Sequence, residues 1–124
     1  MVIKKFEEIE SWKKARSLVS EVYNISQSIH FKKDFSLKDQ IIRAAVSIIS
    51  NIAEGFDSGT NKSFVRYLNI SLGSASEVKS ILYVALDQNY ITNDKFNELY
   101  EKCDEIKRLI TGLKKYLTKQ TTKN

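Results

Sequence analysis

The sequence contains no proline and only four glycines among its 124 residues. Long helices tolerate so few chain-breaking residues, whereas a β-sandwich or β-barrel needs many turns. The single cysteine, Cys103, has no partner for an intramolecular disulfide, which is typical of a reducing compartment. No apolar run approaches the length of a membrane span, and the first residues lack the apolar core of a signal peptide. We therefore expect a cytoplasmic, all-helical protein with no membrane partner.

Histidine is also nearly absent, since His30 is the single one. A carboxylate-bridged metal site in a helical bundle needs Glu-x-x-His pairs on two helices, and the sequence has no such pair. It has neither a glycine-rich phosphate loop nor a cysteine pair. We expect a protein with no metal ion and no cofactor.

Positive charge is in excess, because 20 Lys and Arg against 15 Asp and Glu give a net charge of +5. Acidic residues stop at Glu105, whereas basic residues continue to Lys123. This distribution favours a polyanionic partner, but it also complements the dipole at a helix C-terminus and supports solubility. The candidate nucleic-acid contacts are Lys13, Lys14, Arg16, Lys107, Arg108, Lys114, Lys115 and Lys119.

Apolar residues recur at helical spacing in four segments of the chain. They predict helices over about residues 9–30, 38–56, 61–88 and 93–118, followed by a frayed tail over about residues 119–124. Ser36 with Asp39 resembles a capping start for the second helix, and Gly55 is expected to end it. Because the connections are short, neighbouring helices should run antiparallel. The predicted fold class is all-α, an up-down four-helix bundle that forms one domain over residues 1–124.

The second helix carries more apolar surface than a lone bundle covers. On a helical wheel its apolar residues fill an arc of about 200°, whereas an ordinary surface helix has an apolar stripe nearer to about 100°. The excess needs another cover, most simply a second subunit. This predicts a homo-oligomer, with candidate interface residues Ile42, Val46, Ile49 and Ala53.

The other side of the second helix is a polar sector about 100° wide. With one residue of the third helix it forms a predicted polar seam, which consists of Arg43, Ser47, Ser50, Asn51, Glu54 and Glu77. A serine nucleophile needs a base, and no histidine or lysine lies within reach on this helix. Glu77 lies on a largely apolar line, so we expect it to be partly buried and paired with Arg43 or Lys79. The seam is predicted to be structural, with no catalytic residue.

Small residues in "NISLGSASEVKS" mark the third helix. Gly73 inside a helix costs about 1 kcal/mol relative to alanine. Together with the serines around it, Gly73 would let another helix approach closely and exchange hydrogen bonds with the polar sector. A ligand groove is the alternative interpretation of this stretch.

Three stretches resemble one family over nearly the whole chain, namely "ESWKKARSLVSEVY", "QIIRAAVSIISNIAEG" and "SFVRYLNISLGSASEV". They resemble the 23S rRNA-intervening-sequence protein family of bacterial four-helix bundles. The resemblance implies an antiparallel bundle that assembles into a homopentamer. Members are named for genes within intervening sequences of large-subunit ribosomal RNA genes, and a related retroelement accessory protein works with a reverse transcriptase. Ile42 and Ile49 depart from the pattern, since the family often has arginine and proline there.

Two functions follow from these observations. The first is a non-enzymatic, basic, oligomeric bundle that binds nucleic acid, RNA in preference to DNA, through backbone electrostatics. Its partners would be further copies of itself and RNA or DNA, or a nucleic-acid-processing protein. The alternative is a protein–protein adaptor or scaffold, with the charge serving solubility.

Overall fold

The computed structural model describes the backbone of residues 2–123 and the side chains of residues 2–120. Within the described residues the chain is helical and contains no strand. The four long helices are α1 (Glu10–Ile25), α2 (Phe35–Asp57), α3 (Asn61–Asp87) and α4 (Asn93–Lys123). Short 3-10 turns at Phe6–Glu8 and Phe31–Lys33 precede α1 and α2. The all-helical fold class is confirmed.

Each helix packs on its neighbour in the chain, and α1 also packs on α4, which closes the bundle. Cross-helix contacts give the directions. Ser71 contacts Ile48 while Ser74, one turn later, contacts Ser47, so α2 and α3 run antiparallel. α1 and α4 also run antiparallel, because Lys14 reaches Glu105 while Glu21, later in α1, pairs with Lys102, earlier in α4. One apolar core runs between the four helices, and its larger fully buried side chains include Leu18, Ile48, Leu82 and Ile106.

The connection between α1 and α2 differs from the predicted boundaries. α1 ends at Ile25, five residues before the predicted position 30, and the hydroxyl of Ser26 donates to the carbonyl of Tyr23 at 2.8 Å. α2 begins at Phe35 instead of about residue 38. Its cap is Asp34, whose carboxylate accepts from the Leu37 N–H at 3.1 Å, so the expected Ser36 cap is wrong. Asp34 is the cap because it lies between the 3-10 turn Phe31–Lys33 and the first residue of α2, in a non-helical conformation.

The end of the chain also differs. α4 continues to Lys123, so the predicted tail is helical over residues 119–123, and residue 124 lies outside the described residues. Leu117 is buried and holds the last turns of α4 on the core. The sequence after it has no glycine or proline that would stop a helix.

Candidate functional site

The polar seam contains a hydrogen-bonded cluster between α2 and α3. The Ser74 hydroxyl donates to the Ser47 hydroxyl oxygen at 2.8 Å. The Asn51 amide donates to the carbonyl and hydroxyl oxygens of Ser47 at 2.8 and 3.1 Å. Buried below them, the Ser71 hydroxyl donates to the Ile48 carbonyl at 2.9 Å. Ser71 and Ser74 of α3 therefore form hydrogen bonds to α2, whereas the bonds between Asn51 and Ser47 lie within α2.

The other members of the predicted seam do not join this cluster. Ser50 and Glu54 are exposed on the outer side of α2. Arg43 pairs with Asp39 of its own helix at 3.2 Å, with both side chains mostly exposed. Gln40, Arg43, Ser47 and Glu77 line an open depression between α2 and α3.

Glu77 is exposed, so the expected partial burial of this carboxylate is wrong. Ser74, Ala75 and Val78 turn toward the core, and the helical rotation between consecutive residues then places Glu77 outside. Neither of the two expected partners pairs with Glu77, because Arg43 pairs with Asp39 and Lys79 donates to Asp104 of α4 at 2.5 Å. The sequence holds a signal for this pair, because Asp104 follows the buried Cys103 and so lies at the edge of the packed face of α4.

Two glycines have roles different from those expected. Gly55 is buried inside α2, which continues to Asp57, so this glycine does not end the helix. A Cβ atom at position 55 would lie 2.8 Å from Phe64 Cδ1 and 2.8 Å from Tyr67 Cβ. Gly55 thus lets α3 cross close to α2. At Gly73 an added Cβ would meet no atom within 4 Å, so the expected close approach at this position is wrong.

The excess apolar arc of α2 is only partly covered by the protomer. Ile41, Ala45, Ile48 and Ile52 face the core and are buried. The neighbouring side chains Ile42, Val46, Ile49 and Ala53 are half-buried, and we call these four residues the α2 stripe. Packing within the bundle therefore leaves part of the predicted interface open to another surface.

The start of α1, which carries predicted cationic residues, lies beside the last turns of α4, because Ile9 and Ser11 line one cleft with Leu113 and Tyr116. Lys13 pairs with Glu10 at 3.4 Å, and Lys14 pairs with Glu105 at 3.8 Å. The Arg16 guanidinium lies 5.8 Å from the centroid of the Trp12 ring. The antiparallel packing thus collects the predicted basic residues of both helices at one end of the bundle.

At the same end of the bundle, some cationic side chains of α4 pair with a carboxylate and others do not. Arg108 pairs with Glu101 at 3.1 Å, and Lys107 donates to the Ser76 hydroxyl at 2.7 Å. Lys114, Lys115 and Lys119 form no ion pair with a carboxylate of the described residues. We define the basic end by its members, which are Lys13, Lys14, Arg16, Lys107, Arg108, Lys114, Lys115 and Lys119.

Long charged side chains also join α4 to α1 and α3. Lys102 pairs with Glu21 across α1 and α4. Lys79 lies over the Tyr100 ring, 4.4 Å from its centroid, and its hydrogen bond to Asp104 raises the pKa of the ammonium group. Next to Asp104, burial raises the pKa of the Cys103 thiol to about 12. Cys103 is therefore a protonated core residue at neutral pH.

Among the described residues, no group of three His, Cys, Asp or Glu side chains is placed to hold a metal ion. In the same part of the chain, no helix combines the length and the apolar character that crossing a bilayer requires. His30 is exposed at the connection between α1 and α2.

The comparisons with known proteins agree with the sequence resemblance. The family model for the 23S rRNA-intervening sequence protein matches residues 7–112. The crystal structure of a protein with unknown function from the S23 ribosomal protein family of Bacteroides thetaiotaomicron is similar, with a TM-score of 0.78 and 25% sequence identity. That similarity covers 85% of this chain and 95% of the other. No curated protein matches. The chain therefore belongs to the 23S rRNA-intervening sequence protein family.

Proposed function

We propose that this protein is a non-enzymatic, cytoplasmic helical bundle that self-associates and binds nucleic acid, RNA in preference to DNA, through the phosphate backbone. The observation that carries the proposal is the basic end. There the fold gathers eight Lys and Arg side chains of α1 and α4, and the chain has no acidic residue after Glu105.

Phosphate groups can compete for these cations. Lys114, Lys115 and Lys119 have no described carboxylate partner to displace. The ion pairs of Lys13 and Arg108 are exposed, and exposed pairs contribute only about 0–1 kcal/mol each. A phosphate backbone offers several charges at once and releases counterions when it binds. The basic end is therefore suited to a polyanion that follows its surface.

Self-association is the second part of the proposal, and the α2 stripe supports it. Four half-buried apolar side chains on one helix face would lose the rest of their exposed area against another copy. By resemblance to the family, the assembly would be a ring-like homopentamer. An oligomer repeats the basic end once per subunit, which raises the effective concentration of cations along a bound strand.

RNA is favoured over DNA because the matched family is named for intervening sequences of 23S rRNA. A nucleic-acid-processing protein is a further partner compatible with this role. Neither the serines of the seam nor the exposed His30 is arranged as a nucleophile with its base in the described residues. This arrangement supports a binding role without catalysis.

The test is a titration of fluorescein-labelled RNA by fluorescence anisotropy over a salt series. The affinity should fall as salt rises, and Lys114→Glu/Lys115→Glu/Lys119→Glu should weaken binding and lower the salt slope by roughly two. The matched control is Lys114→Arg/Lys115→Arg/Lys119→Arg, which preserves the charge and should bind like the wild type. An absence of RNA and DNA binding at low salt would overturn the proposal.

The alternative function is a protein–protein adaptor or scaffold, and the α2 stripe is the observation that favours it. An adaptor should keep its complexes at high salt and should be indifferent to charge reversal at the basic end. Purification before and after nuclease treatment separates the two functions, because a nucleic-acid-dependent complex dissociates on digestion. Light scattering with and without RNA reports the subunit number in the same samples.

A further inference from the structure

The end of the bundle opposite the basic end has an unusual surface. We call it the α1–α2 tip, and its members are Ile29, His30, Lys32, Lys33, Phe35 and Lys38. The Phe35 side chain is 77% exposed and Ile29 is 69% exposed. Because α2 has 23 residues, roughly 35 Å separate the tip from the other end of this helix. The tip is therefore a surface separate from the basic end.

The tip is held in place by buried contacts. Phe31 is fully buried, and its ring stacks on Tyr90 with 5.1 Å between the centroids. Asp34 accepts hydrogen bonds from the Leu37 N–H at 3.1 Å and from the Tyr90 hydroxyl at 3.0 Å. Phe35 follows Asp34 directly, so its exposed ring is attached to a fixed point of the backbone.

The lysines of the tip outnumber its carboxylates, with Lys32 and Lys33 exposed and Lys38 half-buried. Lys32, Lys33 and Lys38 form no ion pair with a carboxylate of the described residues. Of the two nearest acidic residues along the chain, Asp39 pairs with Arg43 at 3.2 Å. Asp34 accepts from the neutral Leu37 N–H and Tyr90 hydroxyl and keeps its negative charge. The tip therefore combines an exposed aromatic ring with three lysines, against the single charge of Asp34.

This combination fits single-stranded nucleic acid, in which base faces and phosphates are accessible together. We propose that the tip binds single-stranded RNA or DNA, with Phe35 stacked on an unpaired base and the three lysines contacting adjacent phosphates. The inference rests on the proposed function and adds a second contact, which distinguishes single strands from duplexes. In a duplex the base faces are stacked on one another and have no free surface for Phe35.

The test uses the full chain and fluorescein-labelled RNA of one sequence, as a single strand and annealed to its complement. Phe35→Ala should lower single-strand affinity by roughly tenfold or more and leave duplex affinity unchanged. Phe35→Trp keeps an aromatic face and should restore the single-strand affinity. Because Phe35 is exposed, the variants should keep the helical circular dichroism of the wild type.

Four outcomes would overturn the inference. In the first outcome, Phe35→Ala binds the single strand as tightly as the wild type, while the Lys114→Glu/Lys115→Glu/Lys119→Glu variant binds more weakly. This result would refute binding at the tip and leave the proposed function standing. An absence of wild-type binding to every nucleic acid would remove both. A change of light-scattering mass in Phe35→Ala would assign the ring to a subunit contact. Loss of Phe35→Ala binding to phosphatidylserine vesicles, with RNA affinity unchanged, would assign it to a lipid surface.

Discussion

The α2–α3 interface and the α1–α4 interface hold the same bundle together by different means. Between α2 and α3, a glycine and small hydroxyl side chains let the helices cross closely, and the hydrogen bonds lie inside the contact. Between α1 and α4, long charged side chains span the rim, as Lys102 does to Glu21. Water already solvates the charged side chains of the α1–α4 rim, so their pairing contributes little to stability. The α2–α3 contact is closely packed inside, so it has no space for an added atom. The energetic sensitivity of the bundle should therefore be concentrated in α2 and α3.

The strongest test of this difference changes two glycines in the same way. Gly55→Ala should destabilise the protein by about 1–3 kcal/mol, because its Cβ would overlap Phe64 and Tyr67. Gly73→Ala is the matched control and should stabilise it by up to about 1 kcal/mol through helix propensity, since its Cβ meets no atom within 4 Å. Urea unfolding followed by circular dichroism measures both. Equal effects of the two substitutions would contradict the close crossing.

The buried hydroxyl of α3 provides the next largest effect. Ser71→Ala removes the hydrogen bond to the Ile48 carbonyl and should cost about 1 kcal/mol of unfolding free energy. Ser76→Ala removes an exposed partner of Lys107 and should change stability by less than about 0.5 kcal/mol. Denaturation midpoints at constant slope report the difference. A larger loss for Ser76→Ala would reverse the expected order.

The rim of the α1–α4 interface should contribute less. A double-mutant cycle with Lys102→Gln and Glu21→Gln should give a coupling energy of about 0.5–1 kcal/mol, because both side chains retain access to water. The coupling should shrink when salt is added, since an ion pair near the surface is screened. A coupling above that of the Ser71 hydrogen bond would show that the rim, and not the interior, dominates.

The smallest effect is a pH dependence at the α3–α4 contact. The hydrogen bond to Asp104 raises the pKa of Lys79 above its ordinary value of 10.5. A raised folded-state pKa means that this stabilisation is complete below pH 10.5 and is lost as the pH rises through the folded-state pKa. Lys79→Met should therefore flatten the alkaline decrease of the melting temperature. An unchanged alkaline profile would show that the Lys79–Asp104 pair does not contribute to it.

Much of the fold could be predicted because helical spacing is a local property. The face of α4 that carries Leu99, Cys103, Ile106 and Ile110 is buried as its heptad spacing indicates. The excess apolar arc of α2 is likewise visible in the sequence, and its outer half forms the half-buried α2 stripe. These features depend on residues within a few turns of one another.

The sequence predictions are wrong where contacts between residues distant in the chain determine the local structure. Spacing alone continues helix α1 through Ile29, but burial of Phe31 against Tyr90 draws the chain into a 3-10 turn and leaves Ile29 exposed. The apolar line around Glu77 predicts partial burial, yet the orientation of α3 against α2 leaves this side chain exposed. The exposed ring of Phe35 is also a consequence of this connection, and no spacing rule identifies it.

The sequence by itself determined the number and approximate position of the helices, the family and the distribution of charge. These follow from periodicity and composition, which each stretch of chain carries without reference to the others. Only the tertiary structure decided that Gly55 is crowded while Gly73 is open, and which lysines meet a carboxylate. Crowding and pairing depend on the distance and angle at which separate helices meet, and these are set by the packing of the whole core.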